Sequence, residues 1–313
     1  MALQRVEKIN VAIGDANQEV RYSIRRALRE AGASEITDFA TIDEMLPHLN
    51  NIAIDLFVTD AELPGGDFCD VVQRVRGQTL GRNPFVAIIA NTGVADAAGI
   101  QRILGSGVDD LLVKPIRLDV LLERIANLIA ARKPFVMMQN YFGPDRRGHN
   151  RADEKNPLEP LEVPNTVRVK VQGGGKEEVE KLVDGAVAML NAKKMQRHSI
   201  EIAYLVKRVQ QGLKHNKSIF EIRGDLERMA FVGKELQKRI AGTSAEHGAH
   251  LAGSLITVAE RAIEGEGPPS PRDVDLLIHL AAAIRHAFVT DAESVEAAME
   301  ITETIANKFT EKT

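Results

Sequence analysis

Asp55-Leu-Phe-Val-Thr-Asp60 is a short apolar run that ends on a carboxylate, and two further runs of the same kind follow it. Phe85-Val-Ala-Ile-Ile-Ala-Asn91 leads directly into Thr92, and Leu111-Leu-Val-Lys114 ends on a lysine that Pro115 follows. Short apolar runs rich in β-branched residues predict buried strands. The carboxyl ends of parallel strands meet at one edge of a sheet, where α/β proteins bind ligands. We therefore expect Asp60, Thr92 and Lys114 to lie close together.

An acid, a hydroxyl and an ammonium group at one sheet edge suit phosphoryl chemistry. A carboxylate such as that of Asp60 can act as a nucleophile and form a covalent intermediate. The hydroxyl of Thr92 and the ammonium of Lys114 would then hold the phosphoryl oxygens, because donors of these kinds bind negatively charged oxygen strongly. The pattern indicates a candidate phosphorylation switch.

Strand-like and helix-like segments alternate along residues 1–132. This alternation with short connections predicts an α/β fold: a doubly wound, five-stranded parallel sheet with helices on both faces. The second predicted helix opens at Thr41 with Glu44 three residues on, which is a capping-box pattern. The predicted strands are Ile9–Ile13, Glu35–Phe39, Leu56–Thr59, Phe85–Ala90 and Leu111–Val113.

This arrangement resembles the CheY-like receiver domain of two-component response regulators. Asp15 after the first strand adds to the resemblance, as does Asp60-Ala-Glu-Leu-Pro-Gly-Gly-Asp67, which is similar to the D-x-x-M-P-x-x-D loop of that family. The spacing from Thr92 through Gly107 to Lys114 also fits without gaps. A nucleotide-binding doubly wound domain is the alternative, but Gly14-Asp15-Ala16 does not provide its G-x-G-x-x-G turn.

The resemblance implies a flavodoxin-like receiver phosphorylated on Asp60, with Thr92 and Lys114 as its partners in that chemistry. It also implies that Asp15, Asp60 and the backbone carbonyl of Glu62 bind Mg²⁺. Receivers usually carry a pair of acids after the first strand, whereas Ala16 follows Asp15 here. Because Mg²⁺ can be held by one or two carboxylates and water, we expect a magnesium site that is present but weak.

Two other positions depart from the family. Leu111 stands three residues before Lys114, where receivers commonly carry an aromatic residue. Glu62 lies two residues beyond Asp60, where its carboxylate could orient an attacking water or repel a phosphoryl group. A pocket that is retained but silent is the alternative to an active phosphorylation site.

Residues 133–175 differ in composition from the segment before them. Five prolines and the run Gly173-Gly-Gly175 predict an extended arm or linker. The segment from Tyr141 to Arg151 resembles an arm found after some proteobacterial receivers, and we expect it to cover its own domain or a partner. Arg147-Gly-His-Asn-Arg151 matches the RxxxR element of cyclic-di-GMP-binding PilZ domains superficially, but the second element of that motif does not follow.

Residues 176–313 are rich in helix-forming residues and predict an all-α helical bundle. The predicted helices are 176–192, 198–214, 218–241, 245–264, 271–289 and 291–310. Three domains are therefore expected: a receiver over 1–132, the arm and linker over 133–175, and the bundle over 176–313.

The stretch from Ser218 to Ala230 resembles the helix of histidine phosphotransfer (HPt) domains that carries the phosphorylated histidine. Gly224 stands at the histidine position, so the resemblance implies a degenerate bundle that has lost its nucleophile. The glycine suggests either close backbone contact or tolerated loss of an older function, and a generic dimerisation bundle is the alternative. The pairs His247 with His250 and His279 with His286 share helix faces, but no cysteine or acidic cluster accompanies them to indicate a metal site.

Composition excludes several classes. The net charge of −4 gives no general attraction to nucleic acid or anionic membrane, and the chain has no apolar stretch long enough to span a bilayer. Cys69 is the single cysteine, which fits a reducing cytoplasm. No catalytic motif is evident beyond the chemistry of the receiver itself, so the chain is not expected to be an enzyme.

The sequence therefore predicts a cytoplasmic response regulator that receives phosphoryl groups from a sensor histidine kinase or a phosphotransfer protein. We expect its bundle to signal through protein–protein contacts, with homodimer formation possible. A phosphotransfer protein that uses a C-terminal histidine and a non-phosphorylated pseudo-receiver scaffold are the two alternatives.

Overall fold

A computed structural model describes residues 9–33, 35–51, 54–93, 96–138, 141–147, 160–240, 246–265 and 267–288. The chain forms two compact units, Met1–Val187 and Ala188–Thr313. The domain limits at 132 and 175 follow changes in composition and remain a prediction.

The first unit is built on the predicted parallel sheet. Its strands are β1 (Asn10–Gly14), β2 (Glu35–Phe39), β3 (Leu56–Asp60), β4 (Ala87–Thr92) and β5 (Asp110–Val113). They pair in the order β2-β1-β3-β4-β5, and every pairing is parallel. The predicted doubly wound fold is confirmed, and the strand limits differ from those expected by two residues at most.

Helices cover both faces of this sheet. They are α1 (Gln18–Glu30), α2 (Ile42–Asn51), α3 (Phe68–Arg76), α4 (Ala97–Gly105) and α5 (Leu118–Ala130). Side chains of α1 and α5 pack with Val11 and Ile13 on one face, whereas α2, α3 and α4 pack with Ala12 on the other. Alternate residues of one strand thus enter two separate apolar cores, as the period of a strand requires.

The segment after α5 is not wholly extended, and this differs from the sequence-based expectation. Strands β6 (Phe135–Met138) and β7 (Tyr141–Pro144) form an antiparallel hairpin, and helix α6 (Thr166–Val171) follows. Phe135 is fully buried, with the guanidinium carbons of Arg76 and Arg132 at 5.1 and 4.9 Å from its ring centre. The described part of the arm therefore packs onto its own receiver.

Gly107, just before β5, explains how the hairpin comes so close. Its φ is +105°, and a Cβ there would lie 2.9 Å from the carbonyl oxygen of Phe142 in β7. A side chain would thus be both strained and in contact with the hairpin backbone. Arg76, which approaches this glycine from α3, donates to its carbonyl at 2.9 Å.

The second unit is helical. Its elements are the C-terminal part of α7 (Lys176–Lys214), α8 (Ile219–Ile240), α9 (Glu246–Glu264) and α10 (Pro271–Phe288). One apolar core joins them, and it includes the fully buried Ile222, Leu226 and Leu277. None of the helices in the described ranges is both long and apolar enough to cross a membrane.

Two of the predicted helices, 176–192 and 198–214, are in fact the single helix α7. The expected break was wrong because residues 193–197 contain neither glycine nor proline, and lysine, methionine, glutamine and arginine all continue a helix readily. The predicted helix 291–310 lies outside the described residues.

Candidate functional site

Asp15 is positioned by the close approach of β1 and β3. Gly14 ends β1, and a Cβ there would lie 2.7 Å from Cγ2 of Thr59, so the two strands can approach only because this residue is glycine. The carboxylate of Asp15 is buried and accepts a hydrogen bond from the backbone N–H of Asn17 at 2.8 Å. The first acid of the site is therefore held by its own loop.

Asp60, the last residue of β3, is buried beside it. Its Oδ1 accepts a hydrogen bond from the backbone N–H of Glu62 at 3.1 Å, and its Oδ2 lies 2.5 Å from Nζ of Lys114. Burial raises the pKa of the Asp60 carboxyl, and these two hydrogen bonds offset only part of that effect. Perturbed pKa values of this kind are common at functional sites.

Lys114 connects the two carboxylates. Its Nζ lies 2.5 Å from Oδ2 of Asp60 and 3.2 Å from Oδ2 of Asp15. Its backbone N–H donates to the carbonyl of Thr92 at 2.8 Å, which ties the loop after β5 to the end of β4. Burial alone would lower the pKa of Lys114, but the two carboxylates outweigh it and raise the pKa, because the side chain keeps 29% of its exposure. The lysine therefore remains charged.

Thr92, the last residue of β4, is fully buried, and its hydroxyl donates to Oε1 of Glu62. The next backbone N–H, that of Gly93, donates to Oε2 of the same carboxylate at 2.8 Å. Burial acts to raise the pKa of Glu62, but these hydrogen bonds and the charge of Lys114 lower it overall. The sequence placed the Glu62 side chain near the site but gave no indication that it binds Thr92.

Asn91 is a further polar residue at this edge that sequence reasoning did not single out. It pairs in register with Asp60, so the two side chains lie next to each other on the same face of the sheet. Its side chain is buried, and neither its amide nitrogen nor its amide oxygen has a hydrogen-bond partner among the described residues. A buried side-chain amide without hydrogen-bond partners is unusual, and this one adds to the polar character of the site.

The predicted magnesium ligands can be tested against this geometry. Asp15 and Asp60 each direct one oxygen at the same cation, the ammonium of Lys114, so the two carboxylates can converge on one positive charge. Within the described ranges, no group of three or more His, Cys, Asp or Glu side chains could hold a metal ion. Two carboxylates that converge in this way fit an ion such as Mg²⁺, which one or two carboxylates and water can hold. The ligand role of the Glu62 carbonyl stays a prediction.

The described part of the helical unit also contains buried and partly buried charged groups: Glu201 of α7 accepts a hydrogen bond from Nε of Arg228 of α8 at 2.7 Å, and Lys194 is buried. Gly224 lies within α8, and a Cβ there would meet no heavy atom within 4 Å. Among the described residues, the close backbone contact that was one of the two explanations for this glycine is therefore not found. His250, His279 and His286 are exposed, and Nε2 of His279 lies 3.6 Å from Oδ2 of Asp275.

Comparison with known proteins identifies the domain formed by most of the first unit. The family model described as "Response regulator receiver domain" matches residues 11–126. One curated relative is the cyclic di-GMP phosphodiesterase response regulator RpfG of Xanthomonas campestris, which is 31% identical over 40% of this chain and 33% of its own length. Another is the sensor histidine kinase RcsC of Salmonella typhimurium, which is 41% identical over 25% of this chain and 8% of its own length. The chain thus spans a third or less of these relatives.

Two solved structures are also similar to the first unit. One is a response regulator from Thermotoga maritima, with 23% identity and a TM-score of 0.34, covering 39% of this chain and 98% of its own. The other is the receiver domain of the sensor histidine kinase PA1611 from Pseudomonas aeruginosa, whose structure holds a magnesium ion in the active-site cleft. It is 26% identical with a TM-score of 0.34, and the match covers 38% of this chain and 94% of that one. The family model and the observed sheet together show that residues 11–126 form a CheY-like receiver domain.

Proposed function

We propose that the protein is a response regulator of a two-component phosphorelay, phosphorylated on Asp60, that signals through protein–protein contacts of its helical unit. The observation that carries the proposal is the position of Lys114, whose ammonium lies between the buried carboxylates of Asp15 and Asp60. Thr92 lies at the same edge of the sheet, at the end of the neighbouring strand. The receiver domain supports a role in two-component signalling.

The proposed step transfers one phosphoryl group. An oxygen of the Asp60 carboxylate forms a bond to phosphorus while the bond from phosphorus to a nitrogen of the donor histidine breaks. The electron pair stays with that nitrogen, and the donor imidazole leaves. Lys114 compensates the charge that collects on the phosphoryl oxygens, because its ammonium already lies against the acceptor.

A bound Mg²⁺ would supply further positive charge to the phosphoryl oxygens. Asp15, Asp60 and the carbonyl of Glu62 are the residues that would hold it. Ala16 is exposed and offers no carboxylate, so we propose that the binding is weak.

The phosphoryl donor would be a sensor histidine kinase or a phosphotransfer protein, in the cytoplasm. Phosphorylation would shift the population of receiver conformations, and the helical unit would pass that shift to a protein partner or to a second copy of the chain. We propose no enzymatic activity beyond this transfer, and no nucleic acid or membrane as a target. We propose that this unit is a degenerate HPt bundle whose histidine position is Gly224, which has no nucleophile.

Intact-mass measurement tests the proposal. The full chain is incubated with phosphoramidate and Mg²⁺, and the mass is expected to rise by one phosphoryl group. Asp60→Asn should abolish the gain. Asp67→Asn is the matched control, because Asp67 lies in the same loop and caps α3 through the N–H of Cys69, a contact that asparagine can keep. A gain that persists in Asp60→Asn would show that the acceptor is another residue.

Two other functions give different results in the same experiment. A phosphotransfer protein would carry an acid-labile phosphohistidine, with the exposed His250, His279 and His286 as candidates. A pseudo-receiver scaffold would gain no phosphoryl group under any condition, and the occupation of Thr92 by Glu62 is the observation that favours it.

A further inference from the structure

The carboxylate of Glu62 is bound by two donors of different origin. The hydroxyl of Thr92 donates to one of its oxygens and the backbone N–H of Gly93 donates to the other at 2.8 Å. The backbone N–H of Glu62 itself donates to Asp60 at 3.1 Å. The side chain therefore starts from the acceptor loop and reaches across to the end of β4.

These two donors are the groups at the edge of β4 that a phosphoryl group on Asp60 would need. Thr92 and Gly93 follow Asn91, which pairs in register with Asp60. A carboxylate and a phosphoryl group are both negative and both present paired oxygens to N–H and O–H donors, and such charge-assisted bonds are the strong ones. One donor pair cannot serve both groups at once.

We propose that the Glu62 carboxylate occupies the position of two phosphoryl oxygens and is a built-in competitor of phosphorylation at Asp60. The inference rests on the proposed function, because competition requires a phosphoryl group on Asp60. In the unphosphorylated protein Glu62 holds Thr92 toward the site, and the side chain must leave before a phosphoryl group can take its place. Glu62 is exposed, so its side chain can turn outward to solvent.

Two substitutions separate occupation from simple charge repulsion. Glu62→Ala removes the carboxylate, whereas Glu62→Asp keeps the negative charge but shortens the side chain by one methylene group, so that it no longer reaches both donors. Glu123→Ala is the control, because Glu123 is an exposed carboxylate on α5 of the same domain. All variants are made in the full chain.

The first measurement is the rate of mass gain with phosphoramidate and Mg²⁺. Hydrogen bonds to a charged group contribute enough that their release should raise the rate by about tenfold. We expect this gain in both Glu62→Ala and Glu62→Asp, and none in Glu123→Ala. An unchanged rate in Glu62→Ala overturns the proposal, and a gain in Glu62→Ala alone assigns the effect to charge repulsion and overturns occupation of the donors.

The second measurement does not depend on phosphorylation. With ¹⁵N-glycine labelling, the Gly93 amide proton resonance, assigned by its loss in Gly93→Ala, is expected downfield in the native chain because it donates to a carboxylate. It should move upfield in Glu62→Ala and Glu62→Asp and stay in place in Glu123→Ala. A resonance that does not respond to Glu62 overturns the inference, whereas a response without phosphorylation of any variant leaves the contact established and overturns the proposed function.

Discussion

The amino ends and the carboxyl ends of the parallel strands form two opposite edges of the central sheet. Both edges bury charged groups, but these groups are stabilised to different degrees. At the amino edge, Asp109 accepts hydrogen bonds from Arg76 at 2.9 Å, from Arg132 at 2.8 Å and from the backbone N–H of Ile88 at 2.9 Å. At the carboxyl edge, Asp15 and Asp60 share the single ammonium of Lys114.

The difference separates a buried ion-pair network from the candidate functional site of the same sheet. Asp109 is enclosed by two cations, and the hairpin residue Phe135 covers both of them. Asp60 is left with a raised pKa, and the lysine beside it remains partly open to solvent. Removing one partner of a buried and well-paired charge is costly for stability, whereas a buried charge that is incompletely compensated is typical of functional sites.

The largest effect is expected at the amino edge. Asp109→Asn removes the negative charge that two buried arginines share, and breaking such a pair typically destabilises a protein by about 3–5 kcal/mol. Burial already lowers the pKa of Arg76 to about 10 despite the charge of Asp109. Hydrogen exchange of the β4 amides would report the loss. Asp70→Asn is the control, since its ion pair with Arg74 is exposed and its loss should change stability by less than about 1 kcal/mol.

A second amino-edge pair should show a pH-dependent loss. Nζ of Lys170 lies 2.6 Å from Oδ2 of Asp55, and both side chains are buried. Lys170→Met should destabilise the receiver by about 3 kcal/mol at neutral pH because it leaves a buried carboxylate unpaired. Burial raises the pKa of Asp55 even with Lys170 present. A carboxyl whose pKa is higher in the folded state favours folding at low pH, and this contribution is lost as pH rises through the folded pKa.

The loss in Lys170→Met should therefore be smallest at acidic pH, where more of Asp55 is protonated, and largest at neutral pH. Urea denaturation of the native chain and the variant at several pH values measures it. When Asp55→Asn is already present, adding Lys170→Met should change the stability by an amount that does not depend on pH. A loss that is constant with pH would show that Lys170 acts through packing rather than through its charge.

The third prediction concerns magnesium at the carboxyl edge. Ala16→Asp adds a third carboxylate next to Asp15 and should tighten Mg²⁺ binding by about tenfold, because affinity for such ions increases with the number of charged ligands. Calorimetric titration of the full chain would measure the change. Ala16→Asn, of similar size but neutral, should have a much smaller effect, and an equal gain in both variants would argue against a charge effect.

The smallest effect on stability is expected for Asp60→Asn, the substitution proposed to abolish phosphorylation. Burial raises the pKa of Asp60, so its charge opposes folding at neutral pH, as the same linkage argument requires. Asp60→Asn removes that charge but also a contact with Lys114, and we expect a stability within about 1 kcal/mol of the native chain, on the stabilised side. Thermal denaturation compares it with Asp109→Asn. Equal losses in the two variants would mean that the edges do not differ.

Sequence reasoning succeeded at the carboxyl edge because each of its residues follows an apolar run. Asp15, Asp60, Thr92 and Lys114 were all expected at strand ends, and the structure brings them together there. The same reasoning missed Arg76 and Asp109. Arg76 stands in the last turn of a helix, where a basic residue is ordinary, and nothing in its neighbours along the chain indicates that it is buried.

The sequence by itself therefore determined the parallel sheet, its helices and the edge that carries the candidate functional site, because strand and helix periods and strand-end residues are local properties of the chain. Only the tertiary structure decided that Glu62 binds Thr92 and Gly93 and that the hairpin from Phe135 to Pro144 covers the amino edge. Both depend on which residues distant in the chain lie within hydrogen-bond or packing distance. The continuity of the helix over residues 176–214 was missed for a different reason, since the local sequence already lacks a helix breaker between residues 193 and 197.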